Sequence, residues 1–277
     1  KLKNFDKALL VYQEGLAVKE NSSILFNQMG LIYFNQNKFE KANTYFQNSL
    51  KIDSKNKFTI NNIGLLYFEL SNFKNAYRYF NECILLDSGF SSAQFNLGLV
   101  YLLEENFLSG WPKYEYRSYK KKYPQITSSK PEWDGSDVSN KSLLILNEQG
   151  IGDNVQFVRF ITLIKKNNTR IILFVKKKFK LFFKKLDCVD LIIDQLEDIP
   201  EFDNYIFLMS LPNIFKNIKK FPPPLNFFNK KNERKKKWNL IFDNYDKNLL
   251  KVGLVWQGDH INNKNDKKRS ISLKSLE

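Results

Sequence analysis

Gly30, Gly64 and Gly98 recur at a constant interval of 34 residues, and their neighbours keep step with them. Around them stand "FNQMGLIYF", "INNIGLLYF" and "FNLGLVYLL", with Tyr33, Tyr67 and Tyr101 in register. Phe5, Phe39, Phe73 and Phe107 share the period, as do Ala8, Ala42 and Ala76. A period of this length holds two helices and a turn. No such unit buries its apolar face alone, so copies must stack into a quasi-one-dimensional array. Small residues then sit where paired helices approach closely, and the aromatics fill the space between them.

This register resembles the tetratricopeptide repeat, and the resemblance predicts a helical array over residues 1–117. Residues 1–20 read as the second helix of a repeat. The chain opens inside that pattern with no initiator methionine, which predicts a fragment of a longer protein. In the last repeat Gly110 replaces the packing alanine and Pro112 interrupts the second helix at "GWPKYEYR", as expected of a terminal repeat that docks on the next domain. Arrays of this kind bind extended peptides in their concave face. Gln28, Asn62 and Asn96 occupy one equivalent position, two residues before each glycine. They resemble the asparagine ladder with which the repeats of O-linked N-acetylglucosamine transferases hold peptide backbone, each carboxamide supplying a donor and an acceptor. An exposed polar helix face, enriched in Asn by coding bias, is the alternative reading of the same positions.

Composition narrows the partners. The formal charge is +15, but the lysine tracts at 120–122, 176–178 and 235–237 are scattered and line no single face. A solvated lysine surface is expected, not specific nucleic-acid binding. No apolar run of eighteen residues and no signal-peptide pattern occurs, so no transmembrane segment is expected. Cys83 and Cys188 are far apart, without CxxC spacing, and His260 is the lone histidine. Neither a metal site nor a disulfide framework is indicated, and a reducing, cytoplasmic compartment fits.

Between about 118 and 142 the periodicity gives way to "KKKYPQITSSKPEWDGSDVSNK", rich in Pro, Ser and Lys, which reads as a linker with a compact "PEWDG" turn. Beyond it "SLLILNE", "RIILFVK", "VDLIID" and "NYIFLM" read as buried parallel strands. Helical patterns near 154–167 and 178–186 separate the first three, predicting a Rossmann-like layer over 143–228. A lysine-rich helix near 230–243 and a strand "KVGLVW" at 251–256 then predict the start of a second α/β domain within 229–277.

The loop "NEQGIGDN" comes directly after the first strand. It is no dinucleotide fingerprint, because Val155 holds the third glycine slot and Lys176 and Lys177 stand where a ribose-binding acid belongs. GxxxxGK[ST] and GxSxG are also absent. A glycine turn that lets strand and helix approach closely is one account of the loop.

A second account comes from resemblance. "PEWDG", "KSLLILNEQGIGDNVQFVRF", "FLMSLPNIF" and "KVGLVWQGD…NDKKRSISL" resemble bacterial repeat proteins carrying a glycosyltransferase domain of the heptosyltransferase-like, two-domain GT-B family. That likeness implies that Gly152 and Asp153 match a Gly-Asp whose carboxylate is the catalytic base. It places Gln149, Gly150, Gly152, Gln156 and Arg159 at the acceptor site. Gly258, Arg269 and Ser270 match the donor side, while His260 is assigned no role. The implied protein is an α plus α/β glycosyltransferase, cut early in its donor half, that takes a sugar from a nucleotide-sugar donor to an acceptor recruited partly by the repeats. It needs no cofactor and no metal. The alternative is a non-catalytic repeat scaffold for protein–protein interaction with a degenerate transferase-like domain.

Overall fold

The computed structural model describes residues 5–118, 123–164, 168–184, 186–218, 220–225, 239–243 and 245. The chain divides into two compact units, Lys1–Phe227 and Phe228–Glu277. In the second, residues 239–242 are helical. The expected strand at 251–256 lies outside the described residues.

The first unit opens with seven helices, α1 (Phe5–Val18), α2 (Ser23–Asn35), α3 (Phe39–Ile52), α4 (Lys57–Glu69), α5 (Phe73–Leu86), α6 (Ser91–Leu103) and α7 (Phe107–Tyr114). Their ends are written locally. Asn56, Asn72 and Asn106 accept hydrogen bonds from the backbone N–H groups of Thr59, Asn75 and Ser109, each at 3.2 Å, and so cap α4, α5 and α7. The turns within repeats pass through left-handed residues at the same 34-residue period, Asn37, Ser71 and Glu105.

The repeat glycines are required by packing. A Cβ at Gly30 would lie 2.5 Å from the Phe46 ring, and one at Gly64 would lie 2.5 Å from Phe80. Both phenylalanines are fully buried, each worth about 1.5–3 kcal/mol relative to exposure. At Gly98 the contact is backbone instead, 2.9 Å to the Tyr114 nitrogen. Gly110 meets Leu102 at 2.7 Å, so alanine would not fit where the earlier repeats carry Ala42 and Ala76. Pro112 lies inside α7, and the helix runs only as far as Tyr114, 8 residues against 14 for α3 and α5.

A short helix, α8 (Pro124–Thr127), leads to a parallel sheet of four strands, β1 (Ser142–Leu146), β2 (Arg170–Phe174), β3 (Leu191–Ile193) and β4 (Asn204–Phe207), in the order β3-β2-β1-β4. The four apolar segments of the sequence are therefore these strands. Alternate residues serve two cores. Leu143, Ile145, Ile171, Leu173 and Ile206 face one side, and Leu144, Leu146, Ile172, Phe174 and Phe207 face the other. The stretch read as a linker contributes to both, Tyr123 and Ile126 to the second, Trp133 and Val138 to the first. The Trp133 backbone N–H donates to the Tyr205 carbonyl at 2.7 Å, so this segment lies along the β4 edge.

Two helix expectations are corrected. The helix expected from 154 is α9 (Ile151–Phe157), continued as a 3₁₀ helix to Leu163. It starts three residues early because Gly150 is extended and the Asp153 carboxylate accepts its N–H at 3.0 Å. The helix expected at 178–186 is a 3₁₀ turn, Lys177–Phe179, followed by α10 (Lys180–Phe183). A short helix, α11 (Leu211–Ile214), succeeds β4 through a 3₁₀ turn.

Candidate functional site

The first helix of each repeat, α2, α4 and α6, carries polar residues just before its glycine, and these residues meet one another. The Asn62 Nδ2 donates to Asn27 Oδ1 at 2.8 Å, and the Asn96 Nδ2 donates to Asn61 Oδ1 at 3.0 Å. All four side chains are buried. A carboxamide ladder therefore exists, but its first task is to stitch each repeat to the preceding one. Neither reading of Gln28, Asn62 and Asn96 anticipates this, because the partners Asn27 and Asn61 sit one residue earlier and lack an equivalent at Phe95. Gln28 is half-buried and makes no such bond among the described residues. Asn62 and Asn96 each spend one donor, Asn27 and Asn61 each one acceptor, and capacity remains: among the described residues Asn96 Oδ1 and Asn61 Nδ2 have no protein partner.

Asn61 and Asn96 both line a cleft of ≈ 650 Å³. One wall is α4 and α6, through Asn61, Leu65, Ser92, Phe95 and Asn96. The other is the end of the last repeat, from Glu115 to Ser118, and Gln149 from the loop after β1. The repeats and the sheet thus build one site between them.

The joint that holds these walls together is buried and charged. The Arg117 Nε donates to both oxygens of Glu148 at 3.0 and 3.2 Å, and Nη2 donates to Oε1 at 2.5 Å. Arg117 Nη1 reaches Glu115 at 3.0 Å, and Nη2 also reaches the Ser210 hydroxyl at 2.8 Å. Ser210 Oγ bonds Glu115 at 2.9 Å, and the Met209 N–H donates to Glu148 at 3.2 Å. Burial works against the guanidinium charge. The hydrogen bonds and charges of Glu148, with the charge of Glu115, outweigh it and leave the Arg117 pKa above its ordinary value. Apolar contacts reinforce the joint, with Trp111 edge-on to Phe157 at 5.8 Å and Phe107 edge-on to Phe221 at 5.1 Å. Burial pushes the neighbouring Tyr114 hydroxyl up to about 12.

The loop after β1 is shaped by residues that the glycine pattern did not single out. Its left-handed residue is Gln149, at φ 61°, while Gly150 is extended and Gly152 is helical. The sharp turn expected of the two glycines is thus made by the residue before them. A Cβ at Gly152 would meet nothing within 4 Å. Asn154, fully buried, donates to the carbonyls of Glu148 (2.8 Å) and Gly150 and accepts from Asn147. Lys176 Nζ donates to the Gln149 carbonyl at 2.9 Å. Glu148, Asn147 and Asn154 are the residues that sequence reasoning missed. The signal was available in two polar residues, Asn147 and Glu148, directly extending an apolar buried strand, which only internal partners can satisfy.

The residues expected at an acceptor site divide. Gln149 lines the cleft. Asp153 is exposed and bonded to the Gly150 N–H, and Gln156 is exposed on α9. Arg159 lies with its guanidinium 5.9 Å from the centre of the Phe221 ring, its Nε buried without a partner among the described residues. Gly258, Arg269 and Ser270 lie outside the described residues. Among the described residues no cluster of His, Cys, Asp and Glu suits a metal ion, and no helix is long and apolar enough to cross a membrane.

Comparison with known proteins bears on the helical half. No curated protein sequence matches the chain. Among solved structures, the crystal structure of MamA is similar at 19% identity and a TM-score of 0.36, covering 45% of this chain and 70% of that one. PilF of Pseudomonas aeruginosa is similar at 21% identity and a TM-score of 0.38, covering 46% of this chain and 56% of that one. The first repeat domain of Spaghetti (RPAP3), bound to the HSP90 peptide SRMEEVD, is similar at 19% identity and a TM-score of 0.33, covering 39% of this chain and 82% of that one. Tetratricopeptide-repeat models match residues 23–56 and 59–90, the stretches whose glycines, alanines and phenylalanines interlock in the structure; these segments are tetratricopeptide repeats.

Proposed function

We propose that the chain is a protein-interaction module that holds an extended segment of a partner polypeptide in the cleft between α4, α6 and the Gln149 loop. The observation that carries this reading is the composition of that cleft. Asn61, Asn96 and Gln149 line it together with the apolar Leu65 and Phe95, and each carboxamide has hydrogen-bonding groups left over among the described residues. A peptide backbone offers a donor and an acceptor at every residue, and carboxamides match both. The test is selection of binders from a displayed random-peptide library on the full chain, and then anisotropy titration of the selected peptides. Ser92→Trp, at an exposed position on the cleft wall, is expected to abolish binding while leaving the melting temperature unchanged. Undiminished affinity in that variant would refute the site.

A second reading, a cytoplasmic glycosyltransferase whose sheet is the Rossmann-like acceptor half of a GT-B fold, is favoured by one observation. The "EQGIGD" loop sits at the carboxyl end of β1, beside the crevice where open parallel sheets bind ligands, and its Gln149 reaches the cleft. In that reading Asp153 takes the proton of an acceptor hydroxyl, and Gly258, Arg269 and Ser270 meet the nucleotide-sugar. Turnover of a panel of nucleotide-sugars tests it. Asp153→Asn would lower a genuine rate by about two to four orders of magnitude. A residue that serves the helix start alone would show instead about 1 kcal/mol of lost stability in Asp153→Ala.

A further inference from the structure

We infer that Arg117 and Glu148 are the positioning pair of the cleft, holding its Gln149 wall at a fixed distance and angle from its repeat wall; this rests on the interaction-module reading above. The guanidinium belongs to the repeat side. Its Nη1 donates to the Tyr114 carbonyl at 3.4 Å and to the Glu115 carboxylate at 3.0 Å, which tethers it to the end of α7. On the sheet side it has two anchors. Glu148, just past β1, accepts from Nε and Nη2, and Ser210, just past β4, accepts from Nη2 at 2.8 Å. Because β1 and β4 are neighbours in the sheet, two anchors fix rotation as well as distance. The Met209 N–H, donating to the same Glu148 carboxylate at 3.2 Å, ties the anchors to each other.

Gln149 is the next residue along the chain, and its backbone is held on both sides. The Glu148 carbonyl accepts from Asn154 at 2.8 Å and the Gln149 carbonyl accepts from Lys176 at 2.9 Å. The Gly150 N–H donates to Asp153 at 3.0 Å. A shift of the Glu148 carboxylate therefore carries Gln149 with it. Arg117 and Glu115 themselves line the cleft, so the groups that set its width are also part of its wall. Apolar contact is non-directional and would let one half slide on the other. A guanidinium seated on a carboxylate through two parallel bonds fixes plane and distance together. A buried ion pair adds little stability over a well-packed apolar pair. What it supplies here is register.

The experiment uses the full chain, the peptides selected from the displayed library, and a distance measured across the cleft. Spin labels at Ser88→Cys, ahead of α6, and Gln156→Cys, on α9, occupy exposed positions. The background is Cys188→Ser, and Cys83 is fully buried. Pulsed electron resonance is expected to give one narrow distance in the otherwise unchanged chain. Arg117→Met with Glu148→Leu leaves no stranded charge and keeps apolar adhesion between the halves. It is expected to melt cooperatively, to broaden the distance distribution, and to weaken the peptides by at least about tenfold, one or two hydrogen bonds' worth. Glu148→Asp keeps the charge on a shorter side chain and is expected to displace the distance without broadening it. An unchanged distance in either folded variant, or unchanged affinity in the double variant while Ser92→Trp still blocks, would overturn the inference and leave the peptide site standing. A library that yields no binder would overturn both.

Discussion

Removing either half of the Arg117–Glu148 pair is expected to destabilise the first unit far more than an ordinary ion pair would. Glu148 is fully buried and Arg117 is 4% exposed, so neither charge can fall back on water. In Arg117→Met the carboxylate keeps one described donor, the Met209 N–H at 3.2 Å. That is the worse case, at about 5 kcal/mol, the upper end for an uncompensated buried charge. In Glu148→Gln the guanidinium keeps Glu115 at 3.0 Å, which puts the cost nearer about 3 kcal/mol. Replacing both, as Arg117→Met with Glu148→Leu, removes the stranded charge, and the double variant should fall well short of the sum of the single costs. Urea unfolding monitored by tryptophan fluorescence reads this directly, because Trp111 and Trp133 are buried in the folded first unit. Single variants costing under about 1 kcal/mol, the level of an exposed pair, would refute the reasoning. So would costs that simply add in the double variant.

The glycines separate cleanly by sign. Gly64→Ala should cost about 1–3 kcal/mol by overpacking Phe80, whereas Gly152→Ala, helical and facing open space, should gain about 0.5–1 kcal/mol; thermal melts of the two variants check both directions. Burial pushes the Cys83 thiol from its ordinary 9.0 up to about 11, helped by the Asp87 charge. The folded state therefore keeps a proton that the unfolded chain loses, so this contribution is whole below pH 9 and is lost as the pH rises to about 11. Comparing the alkaline limb of stability with that of Cys83→Ser, which carries the hydroxyl already present at the equivalent Ser49, isolates the effect.

The repeats were legible because their constraints are local and recur. Gly64 faces Phe80 for the same reason that Gly30 faces Phe46, and a period exposes such pairs without any structure. The strands were legible because a sheet covered on both faces reads as an unbroken apolar run. Contact between distant segments was not legible. Arg117 and Glu148 are 31 residues apart and Arg117 and Ser210 are 93 apart, and no spacing rule links them. The ladder was half-legible: Asn62 and Asn96 stand in register, but that they bond Asn27 and Asn61 depends on how far each repeat is rotated on the last, which composition does not encode.

In the loop after β1 a conspicuous pattern diverts attention from the residue that matters. Glycines draw the eye to 150 and 152, yet the left-handed backbone falls on Gln149, whose side chain makes that conformation strained. Left-handed geometry alone marks nothing, since Ser71 and Glu105 adopt it in exposed turns at the repeat period. At Gln149 it coincides with two further facts: Lys176 bonds the carbonyl, and the residue lines the cleft. A glycine at 149 would satisfy the turn at lower conformational cost, about 1 kcal/mol or more for a strained non-glycine position. Strain retained where a cheaper residue fits the backbone points to the side chain as what the strain secures. Gln149→Gly is accordingly the substitution in which a gain or a tie in stability and a loss in binding should appear together.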